Sequence, residues 1–455
     1  MFTPDPLNPT LSDISNMVEV YITNKHKSKT WEAGKDYVKY AGPYYDYKEY
    51  VAAVNSLLKE WLVLGEDAMK FEKQFPPLMG KKHGIFVNSG SSANLLMFET
   101  IKKYYNLPDD TKVICPVASF PSTISPIFSV NFRPVFIDIE LNTLNLDLDQ
   151  LEEAAKSGAR ILIFAHVLAN PPNMDRVMEI VKKYNLIFLE DTCDALNSTY
   201  DGKLLGSFGE MSTCSMYPAH HLCTLGEGGF LTCSNPEQEK IARSFREWSR
   251  GCFCVGLKAN LSIKGTCGCR FSNWLPDLPD EIFDHKYVYD NNRSYNLKPI
   301  EIQASVGLEQ IKKLPEITRI RKENYKRLLE IFTPYEKYFI LPKATDNTDV
   351  NWFAFPLTLK DNIPFKRINF TMYLEKHKIQ TRNMFGGNLL FQPGYKNVKW
   401  YDKTGNYHMT NTNAKKLFPN ATKITIDTLF LGVSPVITSE QLDYVELIVN
   451  KFFNK

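Results

Sequence analysis

From about residue 84 to 234 the chain consists of short apolar runs separated by polar or amphipathic segments. Continuous apolar runs rich in β-branched and aromatic residues are typical of strands buried on both faces of a parallel sheet. Segments 151–157 and 175–185 have helical spacing and suit crossover helices. The pattern predicts an α/β core with a mostly parallel central sheet and flanking helices. The runs assigned to strands are KVICP, PVFIDI, ARILIFAHV, NLIFLED, MSTCSM and GGFLTC.

The periodic pattern stops between residues 248 and 296, a stretch rich in cysteine, glycine and aromatic residues. Such a long connection is usually functional. Helical spacing returns at 299–314 and 317–332, followed by strands near 352–359 and a helix near 365–377. We therefore expect a smaller α+β C-terminal domain packed on the first. The predicted regions are an N-terminal segment at 1–50, a large cofactor-binding α/β domain at 51–314 with the Cys-rich loop 249–296, and the small domain at 315–455.

The 455 residues are 44% hydrophobic, 23% charged and 13% aromatic. This ordinary globular composition excludes a disordered, collagenous or coiled-coil chain. The net charge of +3 is too small and too evenly spread to favour nucleic acid or a membrane surface as a partner. No run approaches the roughly 18 apolar residues of a spanning helix, and no signal peptide is evident. We expect a cytoplasmic protein whose nine cysteines stay reduced unless a metal binds them.

A turn of small residues at 88–94 directly precedes an amphipathic helix in the segment NSGSSANLLMFETIKKYY. A helix N-terminus offers unpaired backbone amides and a partial positive charge, and Gly90, Ser91 and Ser92 would let a phosphate approach them. Capping of the helix by a serine explains the same turn without a ligand. The turn therefore indicates an anion site only in combination with other features.

Two carboxylates, Asp191 and Asp194, follow the apolar run LIFLE. Open α/β sheets hold their catalytic groups at this carboxyl end of the strands. Further along, STCSMYPAHHLCTLGEGG runs from a strand into a glycine-rich turn that carries His220 and His221. Taken alone, two adjacent histidines favour a helix cap or a surface pair over a functional role.

The order of these motifs resembles that of the DegT/DnrJ/EryC1/StrS sugar aminotransferases, a group of fold-type I pyridoxal phosphate (PLP) proteins. The resemblance runs from about residue 40 to the C-terminal region. Usual members have a lysine, which forms a Schiff base with PLP, where this chain has His220, and no lysine occurs from 204 to 239. Ordinary transamination is therefore not expected. The matching motifs are SGSSA, PVASFPS, PVFIDIELNTLNLD, EDTCDALNSTYDGKLLGSFGE, SMYPAHHLCTLGEGG and YNLKPIEIQAS.

Within that group, the segments AHH, GEGG, RGCFC, TCGCRF and DHKYVY resemble the CDP-6-deoxy-L-threo-D-glycero-4-hexulose 3-dehydrases. These enzymes open the route to the 3,6-dideoxy sugars of lipopolysaccharide O-antigens and use pyridoxamine 5′-phosphate (PMP) with a [2Fe–2S] cluster. The resemblance implies dehydration at C3 of a nucleotide-linked 4-keto-6-deoxyhexose, CDP-linked by analogy, and cluster-mediated one-electron reduction. It also implies a homodimer with a shared active site and a separate flavin or iron–sulfur reductase as electron donor.

The resemblance assigns roles to residues around the cofactor. Asp191 pairs with the pyridine nitrogen and keeps the ring able to accept electrons. Phe120 stacks on the ring. His220 is the base that removes a proton from the cofactor methylene, because an imidazole titrates near neutrality and cannot trap the cofactor as lysine would. The phosphate contacts are Ser89, Gly90, Ser91, Ser215 and, from the second subunit, Asn296.

Two Cys-x-Cys pairs lie in the long loop, Cys252 with Cys254 and Cys267 with Cys269. Four thiolates bind zinc or a two-iron cluster equally well, so their spacing does not choose between them. The resemblance implies Cys193, Cys252, Cys254 and Cys267 as cluster ligands, which brings the metal next to Asp191. Twelve residues separate Cys254 from Cys267, more than in the family, and Cys269 is therefore an alternative fourth ligand.

The resemblance also implies substrate contacts at Lys286 and Tyr287, in DHKY, and at Arg382 and Asn388, in QTRNMFGGNLLFQPGY. An arginine suits a diphosphate because its planar fork donates two hydrogen bonds. Ordinary solvated side chains would give the same residues. Two other functions remain open: a ketosugar dehydratase and deaminase without a radical step, whose cysteines bind zinc or nothing, and a catalytically silent binding protein.

Overall fold

Helices and strands alternate along residues 8–454, the part of the chain that the computed structural model describes, apart from the side chains at 257 and 260. The helices are α1 Leu11–Lys27, α2 Tyr47–Leu58, α3 Glu66–Gln74, α4 Gly90–Tyr104, α5 Pro121–Ser129, α6 Leu148–Lys156, α7 Met174–Lys183, α8 Pro236–Arg246, α9 Leu257–Leu261, α10 Glu301–Phe332, α11 Arg367–Lys376, α12 Ala414–Leu417, α13 Pro419–Asp427 and α14 Ser439–Phe453. The strands are β1 His83–Val87, β2 Lys112–Pro116, β3 Arg133–Ile137, β4 Ile161–Ala165, β5 Ile187–Asp191, β6 Thr199–Tyr200, β7 Lys203–Leu204, β8 Met211–Ser215, β9 Gly229–Cys233, β10 Phe271–Ser272, β11 Phe283–Asp284, β12 Phe339–Ile340, β13 Thr348–Asp349, β14 Ala354–Leu359, β15 Arg382–Asn383, β16 Trp400–Tyr401, β17 Tyr407–His408 and β18 Thr428–Gly432.

The central sheet has the strand order β1-β9-β8-β5-β4-β2-β3-β16-β17. Strands β8, β5, β4, β2 and β3 are mutually parallel, whereas β9 pairs antiparallel with both β1 and β8. The six apolar runs identified in the sequence are the strands β2, β3, β4, β5, β8 and β9. Helices α6 and α7 precede β4 and β5 as crossovers. The mostly parallel α/β core is therefore confirmed.

A smaller sheet of order β12-β14-β18-β15 lies in the C-terminal region, with α11 and α14 among the helices that contact it or each other. The two helical stretches expected at 299–314 and 317–332 are one helix, α10, with Pro315 inside it. Leu314 and Ile317, on either side of the proline, are buried in a hydrophobic cluster, and this packing holds the helix together across the missing N–H. The predicted boundary at 314/315 lies inside α10.

The main hydrophobic cluster is continuous from the central sheet to the smaller one, and it includes Ile163 of β4 and Phe355 of β14. Strands β16 and β17, although late in the chain, extend the central sheet at β3. The C-terminal region is thus packed firmly against the cofactor-binding region expected from the sequence. Among residues 8–454, no helix has both the length and the apolar character required to cross a membrane.

Candidate active site

The last residues of three parallel strands, Ala165 of β4, Asp191 of β5 and Ser215 of β8, line a cleft of about 610 Å³. The cleft is also lined by residues of the C-terminal region, among them Phe353 and Arg382. Carboxyl ends of parallel strands are the usual location of ligand sites in open α/β sheets. The predicted site residues Ser89, Gly90, Ser91, Phe120, Asp191, Cys193, Ser215, His220 and Arg382 all line this cleft.

Hydrogen bonds from three directions fix the Asp191 carboxylate. Asn94 Nδ2 and Thr123 Oγ1 donate to Oδ2 at 2.8 and 2.7 Å, and the backbone N–H of Cys193 donates to Oδ1 at 3.1 Å. Asn94 is itself held by Thr213, whose hydroxyl donates to Oδ1 at 2.7 Å. Asp191 is almost completely buried. A buried carboxylate with this orientation is suited to hold one positively charged hydrogen-bond donor in the cleft.

Helix α4 begins at the cleft, and Ser89 is its N-cap, with the Ser92 N–H donating to Oγ at 3.1 Å. Gly90 packs so closely that a methyl group in its place would lie 2.6 Å from Cβ of Ser215 and 3.1 Å from Sγ of Cys193. The glycine therefore lets the first turn of α4 approach the end of β8. Both the N-cap and the amides of this first turn suit an anion.

Phe120, at the N-terminus of α5, is 51% exposed although its ring is large and apolar. It lines the cleft, and its ring meets that of Phe385 edge-on at 5.9 Å. An exposed aromatic face inside a concave site is suited to stack on a planar ligand.

His220 lies on the turn after β8, with Nδ1 3.5 Å from Oδ1 of Asp194. Burial lowers the pKa of His220 to about 4. Burial, together with the nearby charge of Asp191, raises the pKa of Asp194 to about 8. Near neutral pH the imidazole is therefore uncharged and able to accept a proton.

A buried arginine, Arg321, holds the turn that carries His220 in place. The buried guanidinium of Arg321, in α10, donates to the carbonyls of Ala219 at 3.2 Å and His220 at 2.9 Å, and to that of Phe353 at 3.1 Å. The Nε2 atom of His221 lies 2.7 Å from the carbonyl oxygen of Asn351. His221 thus positions its neighbour and faces away from the site.

In the Cys-rich loop, the ligand atoms of Cys252, Cys254, Cys267 and His285 all lie within 4.8 Å of one another. Such a group is able to hold a metal. Cys193 is not one of the four and lines the cleft instead. Cys269 is not one of them either, and its carbonyl accepts a hydrogen bond from Trp274 Nε1 at 2.9 Å.

Some of the other residues predicted to contact cofactor or substrate lie at the cleft, and others lie away from it. The guanidinium of Arg382 lies 4.0 Å from the ring centre of Tyr40 at the cleft. Asn388 is fully buried, and its Oδ1 accepts from the Leu390 N–H at 3.1 Å, which gives it a turn-forming role. The residues that do not line the cleft within this one chain are Lys286, Tyr287, Asn296 and Asn388.

Sequence reasoning missed four groups: Asn94, Thr123, Arg321 and His285. Asn94 lies one helical turn after Gly90, so extending the turn at 88–94 into its helix would have placed it on the same face. Thr123 and Arg321 are far along the chain from the residues that they contact, and no local sequence pattern indicates either of them. His285 lies in DHKY, where attention to metal-ligand residue types would have noticed it.

The model of the DegT/DnrJ/EryC1/StrS aminotransferase family matches residues 45–450. The lipopolysaccharide biosynthesis protein RfbH of Salmonella typhimurium is 36% identical over 450 residues, 98% of each chain. The dTDP-4-dehydro-2,6-dideoxy-D-glucose 3-dehydratase of Saccharopolyspora spinosa is 34% identical over 435 residues, 95% of this chain and 90% of that one.

Among solved structures, the E. coli GDP-4-keto-6-deoxy-D-mannose-3-dehydratase with bound hydrated PLP superimposes with a TM-score of 0.75 at 27% identity, over 91% of this chain and 99% of that chain. This likeness confirms the predicted fold class, a fold-type I aminotransferase-like α/β fold. The sequence match, the fold and the cleft at the strand ends agree with one another, and the chain belongs to the DegT/DnrJ/EryC1/StrS aminotransferase family.

Proposed function

We propose that this protein is a PMP-dependent dehydratase that removes the C3 hydroxyl of a nucleotide-linked 4-keto-6-deoxyhexose, of the CDP-4-keto-6-deoxyglucose type. The observation that carries the proposal is His220: an uncharged imidazole shares the cleft with Asp191, and among residues 8–454 no lysine lines that cleft. The names of the S. spinosa and E. coli relatives, both 3-dehydratases of nucleotide-linked sugars, support the reaction class. The choice of CDP rests on the resemblance of the Cys-rich segments.

The residues of the cleft fit a PMP or PLP molecule. Ser119 has a buried hydroxyl without a hydrogen-bond partner in the described part of the chain, and it lines the cleft near the N-terminus of α5. We infer that Asp191 holds the pyridine nitrogen and that Phe120 covers the ring. The phosphate would be bound by Ser89, Gly90, Ser91 and Ser215, and by Asn296 of the partner subunit in a homodimer.

When bound, PMP supplies a primary amine that condenses with the sugar ketone and a ring that accepts electrons released by C–H cleavage. The chain itself supplies proton transfer. His220 accepts the proton that C–H cleavage releases, and it does so through Nε2, the nitrogen that does not face Asp194. The same proton is then donated to the departing C3 hydroxyl, which leaves as water. Asp194, whose raised pKa of about 8 keeps it protonated near neutral pH, lies 3.5 Å from Nδ1 and orients the imidazole.

Beyond dehydration, we infer a reduction in two successive one-electron transfers through a [2Fe–2S] cluster in the Cys-rich loop, because replacing the C3 hydroxyl by hydrogen takes two electrons. The clustered thiols of Cys252, Cys254 and Cys267 support a redox-active metal there. Cys267 is exposed, so a separate flavin or iron–sulfur reductase would reach this loop from solvent.

A second candidate is a dehydratase that releases ammonia and a 3-deoxy ketosugar without external electrons. It is favoured by the close spacing of the four ligand atoms in the Cys-rich loop, which also suits a redox-inert zinc ion. In that case the loop has a structural role only.

The first test is anaerobic turnover of CDP-, dTDP- and GDP-linked 4-keto-6-deoxyhexoses with stoichiometric PMP and a chemical reductant, followed by NMR at C3. We expect loss of the C3 hydroxyl, fastest with the CDP sugar. His220→Asn should abolish the reaction while the cofactor still binds, and His26→Asn, on the exposed face of α1, should not change it. Unchanged substrate with PMP-loaded protein would contradict the proposal and favour a silent binding protein.

The second test separates the two candidates by counting electrons. The radical route consumes reducing equivalents from a chemical or enzymatic donor and releases no ammonia in step with product. The deaminating route releases one ammonia for each product and needs no electron donor, because PMP supplies the nitrogen and both electrons and ends as PLP; each further turnover needs fresh PMP or an amino donor.

A further inference from the structure

Three phenylalanine rings from separate segments of the C-terminal region meet at the cleft. Phe353 precedes β14, Phe385 follows β15 and Phe430 lies in β18, and all three line the cleft. The ring centre of Phe385 is 6.4 Å from that of Phe353 and 5.9 Å from that of Phe430, and the other two centres are 6.2 Å apart. Each ring therefore contacts the other two. Together they form one apolar surface, the aromatic wall.

The aromatic wall extends from the proposed base to the proposed position of the cofactor ring. The ring of Phe353 lies 5.2 Å from the imidazole of His220, measured between ring centres. The ring of Phe385 lies 5.9 Å from that of Phe120, which we infer to cover the cofactor. Sugar atoms next to the reacting carbons would therefore lie within reach of the wall.

Phe385 has a backbone conformation that a phenylalanine rarely adopts. Its φ is +45°, in the left-handed region. Two hydrogen bonds hold this turn: the Phe385 N–H donates to the Asn383 carbonyl at 2.8 Å, and the Gly387 N–H donates to the Met384 carbonyl at 2.9 Å. Strained residues that their surroundings hold in place cluster at ligand sites. The ring is only partly buried and keeps a surface free toward the cleft.

We propose that Phe385, with the other two rings of the aromatic wall, determines specificity for the C6 methyl group of the substrate. This inference rests on the proposed function and names the part of the 4-keto-6-deoxyhexose that the wall recognises. The sugar carries hydroxyl groups, a ketone and a ring oxygen, and the methyl group is its one wholly apolar substituent. Because the methyl group is attached to C5, next to the ketone carbon, it lies close to the reacting centre.

The aromatic wall would favour a methyl group over a hydroxymethyl group at this place. None of the three rings carries a hydrogen-bonding atom, so a C6 hydroxyl against them would lose its water without gaining a partner. A methyl group in the same position loses no hydrogen bond and gains apolar contact. Apolar pockets discriminate against such an added hydroxyl by on the order of 10- to 100-fold.

The test is calorimetric binding of matched nucleotide sugars to the full-length protein with PMP bound. CDP-6-deoxy-D-glucose and CDP-D-glucose differ only at C6, and both carry a C4 hydroxyl instead of a ketone, so neither condenses with the amine. We expect the wild type to bind the 6-deoxy sugar at least about tenfold more tightly. The corresponding dTDP and GDP pairs are measured in the same way, so the choice of nucleotide does not decide the outcome.

Two substitutions of Phe385 separate the apolar surface from folding. Asparagine tolerates a positive φ and offers hydrogen-bonding groups, so Phe385→Asn should fold and bind the two sugars within about twofold of each other. Phe385→Leu keeps an apolar side chain and should retain the preference for the 6-deoxy sugar. Phe391→Asn is the matched control and should keep the wild-type ratio, because Phe391 lies in the same segment, is 44% exposed and does not line the cleft.

Equal affinity of the wild type for the two sugars of each pair would overturn the inference and leave the proposed function intact. Weaker PMP binding in Phe385→Asn with an unchanged sugar preference would also overturn it, because the wall would then contact the cofactor alone. Failure of every nucleotide sugar to bind the wild type would overturn the proposed function, and this inference with it.

Discussion

Asn94 holds the Asp191 carboxylate in place, since its Nδ2 donates to Oδ2 at 2.8 Å while its Oδ1 accepts from Thr213 at 2.7 Å. This hydrogen bond joins α4, the helix that follows the anion turn, to the end of β5, the strand that carries Asp191. The proposed phosphate site and the proposed partner of the ring nitrogen are therefore linked through one amide.

Asn94→Ala should weaken both folding and cofactor binding. It removes one of the two donors to Oδ2 of Asp191 and leaves the buried Thr213 hydroxyl without its acceptor, which costs about 1–3 kcal/mol. Urea denaturation and PMP titration measure the two effects. The matched control is Asn24→Ala, on the exposed surface of α1, which should change stability by less than about 0.5 kcal/mol. Wild-type PMP affinity in Asn94→Ala would contradict the coupling.

The proton exchange proposed for His220 should persist at acidic pH. Burial lowers the pKa of this histidine to about 4, so the imidazole stays uncharged between pH 7 and pH 5.5. We expect the rate of deuterium exchange at the PMP methylene, followed by NMR, to change by less than about twofold over that range. A histidine with an ordinary pKa near 6.5 would lose on the order of tenfold, and such a loss would show that the imidazole is accessible to water.

Asp194→Asn should stabilise the protein at alkaline pH. Burial and the charge of Asp191 raise the pKa of Asp194 to about 8, well above its value in the unfolded chain. The folded state therefore favours the protonated acid, and this contribution to stability is lost as pH rises from about 4 to 8. We expect Asp194→Asn to gain roughly 1–3 kcal/mol over wild type at pH 8 and nothing at pH 4.

Thermal unfolding at both pH values measures this difference. Asp346→Asn, at an exposed turn, is the control and should show no such pH dependence. Equal stability of wild type and Asp194→Asn at pH 8 would mean that the carboxyl group is solvated in the folded protein.

Gly90→Ala should impair phosphate binding. The added methyl group would lie 2.6 Å from Cβ of Ser215, so the first turn of α4 must move away from β8. We expect at least tenfold weaker PMP binding and weaker inorganic phosphate competition. Gly394→Ala is the matched control, because no heavy atom lies within 4 Å of its added carbon. Unchanged phosphate affinity in Gly90→Ala would remove this turn from the phosphate site.

Local hydrophobic patterns predicted the strands that are buried along almost their whole length. The runs KVICP and NLIFLED are β2 and β5, because a strand covered on both faces is apolar along most of its length; the buried Glu190 and Asp191 at the end of β5 are the exceptions. The pattern failed at Pro315, where packing of Leu314 and Ile317 outweighs the helix-breaking residue. Helix propensity depends on the local sequence, and at Pro315 the tertiary contacts of the neighbouring residues outweigh it.

The sequence by itself determined the α/β core and the family, and it supplied the residues to which we assign the chemistry, among them Asp191, His220 and the paired cysteines. Only the tertiary structure decided which groups contact one another. Thr123 donates a hydrogen bond to the carboxylate of Asp191, and Arg321 donates to the backbone of the turn that carries His220. His285 lies close to the thiols of the Cys-rich loop. Residue types and spacing along the chain fix local chemistry. Contacts across long loops depend on how distant segments pack, and no spacing in the sequence encodes that packing.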